Sequence, residues 1–124
     1  MTLDATSNGT ISWNNGVVDN VAFIPNASSQ YIATATLNGC TTKDTVKVTV
    51  KSKPTINAGI DQTIIAGQSA TLTANATAGS IINWTTTTNP TPFATGNSTV
   101  VSPATTTKYI GVATKDGCLS DPDT

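Results

Sequence analysis

The side chains that could carry chemistry are few and widely spaced. The acidic residues are seven aspartates, the basic residues are six lysines, and the chain has no histidine, arginine or glutamate. Without an imidazole, nucleophile pairs of the Ser–His or Cys–His type and histidine-based metal sites are excluded. Two aspartates could act as an acid/base pair, but no spacing places two of them at one cleft. The composition therefore predicts a protein that is not an enzyme and takes no cofactor.

The aspartates also give little support to a calcium site. Calcium takes about six to eight oxygen ligands, usually with several carboxylates among them. Asp61 lies in AGIDQ, whereas Asp121 and Asp123 lie some sixty residues further along. We therefore predict no metal site.

The two cysteines could form one disulfide by count. Cys40 and Cys118 each follow a glycine in a predicted hairpin turn, at equivalent places in the two halves of the chain. A strand of ten residues spans about 33 Å, and a disulfide needs Cα atoms within about 7 Å. We therefore expect two free thiols, with pairing between molecules as a hazard.

Charge and hydropathy exclude two classes of partner. Six scattered lysines without arginine cannot form a strong phosphate-binding face, so we expect no nucleic acid. No apolar run approaches the ~20 residues of a membrane helix, so we expect no membrane insertion. The first residues, MTLDATSNG, have no features of a signal peptide, so we expect either a mature segment with an added methionine or an export signal elsewhere in a longer chain.

The elements that must position these residues are strands. Threonine alone supplies 26 of the 124 residues, and β-branched side chains favour extended backbone. Apolar and polar residues alternate over 10–15, 21–25 and 45–50, and the last of these predicts a strand with one buried face. Asn38-Gly39 and Asp116-Gly117 are typical of hairpin turns. Short strands between frequent turns predict an all-β sandwich or barrel.

The two halves of the chain repeat one pattern. Tyr31 and Tyr109 are 78 residues apart, as are Cys40 and Cys118, and the TLDA of 2–5 matches the TLTA of 71–74. The tryptophans of ISW and INW are 71 residues apart, so seven extra residues lie between Trp84 and Tyr109. A period of this length is typical of domains in tandem rather than of a solenoid.

The repeat predicts two modules, 1–53 and 54–124, joined by the polar linker Lys51–Pro54. The second module begins with an opening segment, 54–69, that has no counterpart before Thr2. The first module ends with DTVKVTV (44–50), which has no counterpart after Asp121. We therefore expect each module to lack one edge strand.

The repeated residues resemble the Ig-like, PKD-like repeats of Bacteroidetes cell-surface proteins, which are large, adhesion- or gliding-related and secreted by the type IX route. The matching positions are Ala58-Gly59, Asp61-Gln62-Thr63, Ala66-Gly67, Thr71-Leu72, Trp13, Trp84, Tyr31, Tyr109, Gly39-Cys40 and Gly117-Cys118. The resemblance implies two tandem Ig-like antiparallel β-sandwich modules in an extracellular spacer or presenting protein.

Two site expectations depend on this resemblance. Many such repeats carry a cysteine where this chain has Ile65, and the resemblance pairs that cysteine with the one in NGC. Neither Cys40 nor Cys118 then has that partner within the chain. Asp44-Thr45-Val46 resembles the O-glycosylation motif of Bacteroidetes exported proteins, with Thr45 as the modified residue.

The tryptophans and tyrosines are predicted to be structural. Trp13 and Trp84 could stack on sugars, but a tryptophan on the third strand of a sandwich typically fills its core. Tyr31 and Tyr109 each begin a strand after a turn, as in a tyrosine corner. The remaining aromatic residues, Phe23 and Phe93, are the only candidates for a sugar platform.

The most economical interpretation is a non-enzymatic structural or presenting repeat of a long bacterial surface protein. Its partners would be neighbouring Ig-like repeats, copies of itself, or a glycan or other surface ligand. Two alternatives remain open. One is a self-assembling fibre subunit that pairs through open sheet edges. The other is a carbohydrate- or partner-binding module of a secreted protein.

Overall fold

The computed structural model describes residues 1–124 and confirms the all-β prediction, with several antiparallel sheets and no helix. The arrangement is consistent with a β-sandwich. The chain divides into two compact units, Met1–Lys51 (unit 1) and Ser52–Thr124 (unit 2). The boundary lies within the polar Lys51–Pro54 segment, two residues before the one predicted from the repeat. No helix is present that could span a membrane.

Unit 1 is built on one three-stranded antiparallel sheet. Its strands are β1 (Thr10–Trp13), β2 (Ser29–Leu37) and β3 (Cys40–Val48), in the order β1-β2-β3. Asn38 and Gly39 join β2 to β3 with φ of 50° and 81°, the two positive values that a type I′ hairpin turn requires. The hairpin of two nine-residue strands therefore follows from its turn sequence.

The alternation at 21–25 suggested a strand, and that prediction is wrong in extent. Only a single bridge forms there, between Thr2 and Ala22, and the Phe23 N–H donates to the Met1 carbonyl at 2.9 Å. The alternation of sequence at 21–25 had no long partner strand to complete a ladder.

Unit 2 has more strands and a fuller second layer. The larger sheet has the order β11-β10-β7-β8, and two pairs, β4-β6 and β5-β9, accompany it. The strands are β4 (Ile56–Asn57), β5 (Ala70–Thr73), β6 (Asn75–Ala76), β7 (Ile81–Thr86), β8 (Ala94–Thr95), β9 (Ser98–Val101), β10 (Tyr109–Lys115) and β11 (Cys118–Leu119).

The cores of the two units differ in depth. In unit 2 a cluster of four residues is almost completely buried, and apolar residues from β4, β5 and β6 pack against it. The cluster consists of Ala74, Ile82, Trp84 and Ala113. In unit 1 the buried apolar residues are Leu3 and Tyr31. The predicted apolar face of 45–50 is largely open, because Val46 and Val50 are 38% and 37% exposed.

Candidate functional site

Four equivalent residues lie on one face of the main sheet in each unit, and we call this set the floor. In unit 1, Ile11 lies opposite Ala35 and Trp13 lies opposite Ala33 across the β1–β2 ladder. In unit 2, Ile82 lies opposite Ala113 and Trp84 lies opposite Gly111 across the β7–β10 ladder. Directly opposite residues point to the same face of a sheet, so each unit presents an Ile–Trp–small–small floor in an identical register.

In unit 2 this floor is covered by an extended segment. Ile56 and Ala58 pack against the buried cluster, and β4 pairs with β6 through Ile56–Ala76 and Asn57–Asn75. A Cβ atom at Gly111 would lie 2.9 Å from Cδ1 of Ile56, so the isoleucine rests directly on the glycine. This cover leaves Trp84 only 1% exposed.

In unit 1 the equivalent floor lies at the bottom of an open groove of about 410 Å³. One wall is the 3–7 segment, which includes Thr6 and Ser7, the counterparts of β6 by their distance from TLDA and TLTA. The other wall is the 42–46 part of β3. Trp13, which forms part of the floor, is only partly buried. No strand of unit 1 takes the place of β4.

A single carboxylate supports the tryptophan at this groove. Oδ1 of Asp19 accepts hydrogen bonds from Nε1 of Trp13 at 2.7 Å and from the Ala5 N–H at 3.0 Å. Asp19 therefore ties the floor of the groove to its 3–7 wall. In unit 2, Nε1 of Trp84 donates instead to the backbone carbonyl of Gly96 at 2.9 Å.

Each unit also has an aspartate at an equivalent position beside the floor. Asp44 pairs with Ala33, and Asp123 bridges to Gly111, so the two aspartates hold equivalent places beside the floor. In unit 2, Oδ2 of Asp123 accepts the Ala58 N–H at 2.8 Å and thereby holds the covering segment. In unit 1, Oδ1 of Asp44 accepts the N–H of Thr45 at 2.8 Å, and the Asp44 side chain lines the groove.

The predicted tyrosines take part in matching ring contacts. Tyr31 is 6% exposed and meets Phe23 edge-to-face at a centroid distance of 5.2 Å. Tyr109 is partly buried and meets Phe93 in the same way at 5.7 Å. Phe93 keeps 47% of its surface exposed, and Phe23 is partly buried. Both phenylalanines are thus engaged with the tyrosine of their own unit.

The remaining predicted site residues do not come together. Cys40 is exposed and Cys118 partly buried, and both are free thiols. Thr45 is exposed on β3, and Ile65 is 79% exposed in unit 2. No group of three or more His, Cys, Asp or Glu side chains is placed to hold a metal ion.

Unit 2 also has a cleft, of about 650 Å³, with Leu72 and Trp84 among its lining residues. Its walls are the 58–64 and 103–109 segments, which contribute Asp61 and Lys108 as charged side chains. Threonines supply most of the polar groups of the second wall.

Comparison of the sequence with models of protein families and with curated proteins finds no match. The internal repeat is therefore the template by which each unit can be interpreted. Sequence reasoning missed the groove itself, although its signal was present. The opening segment of unit 2 was recognised as an extra part of the repeat, but the covering role of Ile56–Ala58 depends on contacts between distant residues.

Proposed function

We propose that the chain is a non-enzymatic structural or presenting repeat of a long extracellular bacterial surface protein, built from Ig-like β-sandwich modules. One observation carries the proposal: the tryptophans, tyrosines and turn residues that recur between the two halves serve packing and backbone conformation. The two tryptophans and the two tyrosines all pack within their own units. A repeat of packing and turn residues preserves a fold, as a spacer requires.

The turns support the same interpretation. Asn38-Gly39 and Asp116-Gly117 recur at the same hairpin, and each pair has two positive φ values. These residues are needed for the backbone conformation of the turn and have no chemistry of their own. The extracellular location rests on the resemblance to surface-protein repeats. Labelling of intact producing cells by an antibody to the chain, without permeabilisation, would test it.

The fibre alternative is disfavoured by the free edge of β3. This strand lies at the edge of its sheet and carries Lys43 and Lys47, and lysines on an edge strand oppose pairing with another chain. The Thr45 N–H is also already bonded to the Asp44 carboxylate. An open-ended stack through this edge would have to break that bond and bury both lysines.

The partner-binding alternative has one observation in its favour, which is the open groove of unit 1. The carbohydrate version is weaker, because Phe93 is already in edge contact with Tyr109. A glycan array probed with the chain and with its Phe93→Ala variant separates the two. Saturable binding that is lost in the variant would replace the spacer proposal with a sugar-binding one.

Mechanical unfolding tests the proposal directly. The full chain, held between two handles and pulled, should extend in two steps of about 18 nm and about 26 nm, from the lengths of the two units and about 3.6 Å per residue. It should refold on relaxation, as a load-bearing spacer must. A chain that extends without any resisted step would contradict the structural role.

A further inference from the structure

We propose that Asn38 is a site of spontaneous covalent modification, at which the side-chain amide is lost as ammonia and an aspartyl or isoaspartyl residue remains. Water is the only co-reactant. Asn38 lies beside Gly39 in the turn between β2 and β3 of unit 1. The reaction goes beyond the proposed structural role, because it would limit the lifetime of unit 1 and leave unit 2 intact.

The reaction takes place between two neighbouring residues of the chain. The backbone nitrogen of Gly39, after losing its proton to a base in the solvent, attacks Cγ of Asn38, and the Cγ–Nδ2 bond breaks to release ammonia. Water then opens the resulting cyclic succinimide, at Cγ to give aspartate or at the main-chain carbonyl carbon to give isoaspartate. An intramolecular nucleophile needs only the correct approach to its electrophile, and glycine has no side chain to obstruct that approach.

Three Asn-Gly pairs occur in the chain, and the structure distinguishes them. They are Asn8-Gly9, Asn15-Gly16 and Asn38-Gly39. At the first pair, the Gly9 N–H donates to Oγ of Ser7 at 3.0 Å, and a Cβ atom on Gly9 would lie 2.2 Å from the carbonyl oxygen of Thr36. The attacking nitrogen is thus already bonded, and its backbone is closely packed. We expect Asn8 to react most slowly.

The second pair is restrained at its side chain. Nδ2 of Asn15 donates to the carbonyl of Gln30 at 3.2 Å, so the group that must leave is held in place. Both residues of the pair are exposed, and no atom crowds the position of a Cβ on Gly16. Because one hydrogen bond must break before the attack, we expect Asn15 to react at an intermediate rate.

The third pair has neither restraint. Asn38 and Gly39 are exposed, and neither the Asn38 side chain nor the Gly39 N–H makes a hydrogen bond. A Cβ atom on Gly39 would meet nothing within 4 Å. The peptide between the two residues must rotate to bring the nitrogen onto Cγ. Type I′ and II′ turns both fit a two-residue hairpin and differ mainly by such a rotation, so the strands can stay in place.

Unit 2 shows which product the turn accepts. Asp116 and Gly117 form the equivalent turn with φ of 51° and 81°, against 50° and 81° for Asn38 and Gly39. The aspartyl product therefore has the turn sequence of unit 2. The isoaspartyl product instead leads the main chain through Cβ and Cγ and lengthens the turn by one atom. Because the turn sets the register of its two strands, this product should weaken unit 1.

The test is to age the full chain in mildly alkaline, ¹⁸O-labelled water and to map it by mass spectrometry. Chymotrypsin cleaves after aromatic residues and so places the three asparagines in separate peptides. We expect Asn38 to exchange its amide for a labelled carboxyl group several-fold faster than Asn15 and Asn8. In urea the three rates should converge, because the unfolded chain retains only the shared Asn-Gly sequence.

An Asn38→Gly variant is the control for the consequence of the reaction. Gly-Gly also suits a type I′ turn but has no amide to lose. With Trp84→Phe in both chains, so that Trp13 reports on unit 1, the aged parent should develop a fraction that unfolds at lower urea. The aged Asn38→Gly chain should lack it. Equal rates at the three asparagines of the folded chain, a faster reaction at Asn8 or Asn15, or the same order of rates in urea would overturn the proposal.

Discussion

The two units place the same four floor residues in the same register, yet they bury them to different extents. Trp84 is 1% exposed beneath Ile56 and Ala58, whereas Trp13 is only partly buried at the open groove. The difference therefore arises from the covering segment and not from the sheet. The two sheets present the same floor, and in unit 2 a segment distant in sequence covers its tryptophan.

The tryptophans also differ in what holds them. Trp84 donates to a backbone carbonyl, whereas Trp13 depends on the Asp19 side chain. A backbone acceptor is fixed by the fold, but a side-chain acceptor can be removed by one substitution. The two tryptophans should therefore differ in their sensitivity to substitutions around them.

The largest expected effect is the loss of the covered tryptophan. Trp84→Ala should destabilise unit 2 by about 3–5 kcal/mol, because it leaves a cavity under the opening segment. Trp13→Ala should cost unit 1 less, because its side chain is already partly solvated. Calorimetry of both variants measures the difference. Equal losses of unfolding free energy in the two variants would contradict the distinction between a covered and an open floor.

Next in size is the support of the open tryptophan. Asp19→Ala leaves the Ala5 N–H and Nε1 of Trp13 without their acceptor and should destabilise unit 1 by about 1–3 kcal/mol. Asp19→Asn keeps an acceptor oxygen and should recover part of the loss. Urea unfolding monitored by tryptophan fluorescence provides the measurement. An Asp19→Ala variant as stable as the parent chain would show that these two hydrogen bonds do not contribute to the stability of unit 1.

A smaller effect should follow from making unit 2 resemble unit 1. Gly111→Ala should cost about 1–2 kcal/mol, because its methyl group overlaps Cδ1 of Ile56. Combining it with Ile56→Val should cost less than the sum of the two single changes. This double-mutant cycle tests the direct fit of Ile56 on Gly111. Simple additivity would contradict the direct contact.

The smallest effect is expected at the surface. Lys53→Ala breaks the ion pair with Asp121, whose side chains are 55% and 88% exposed, and should cost less than about 1 kcal/mol. Added salt should shrink the difference further. A larger, salt-independent loss would mean that Lys53 fixes the opening segment by more than charge.

Local rules predicted the parts of the fold that depend on neighbouring residues. The Asn38-Gly39 turn and the β1 and β3 strands follow from turn chemistry and β-branched composition. The segment 21–25 has an equally clear alternation but forms one bridge only. Alternation shows which side chains share a face, but it cannot show whether a partner strand is present.

The groove lay beyond sequence reasoning for the same reason. Its floor, its 3–7 wall and Asp44 come from three parts of the chain that meet only through pairing. The valines of 45–50 were predicted to be buried on one face, and Val46 does point into the groove, but little covers it. The prediction that these valines share a face is correct. Their burial depends on a covering segment, which the alternation of residues cannot reveal.

The most direct test of the account compares the unfolding of the two units within the full chain. Each unit has one tryptophan, so Trp84→Phe leaves Trp13 to report on unit 1, and Trp13→Phe leaves Trp84 to report on unit 2. In urea, we predict a lower midpoint of unfolding for unit 1, whose tryptophan is only partly buried, than for unit 2, whose tryptophan is 1% exposed. Equal midpoints, or a lower midpoint for unit 2, would contradict the claim that only unit 2 has a covered floor.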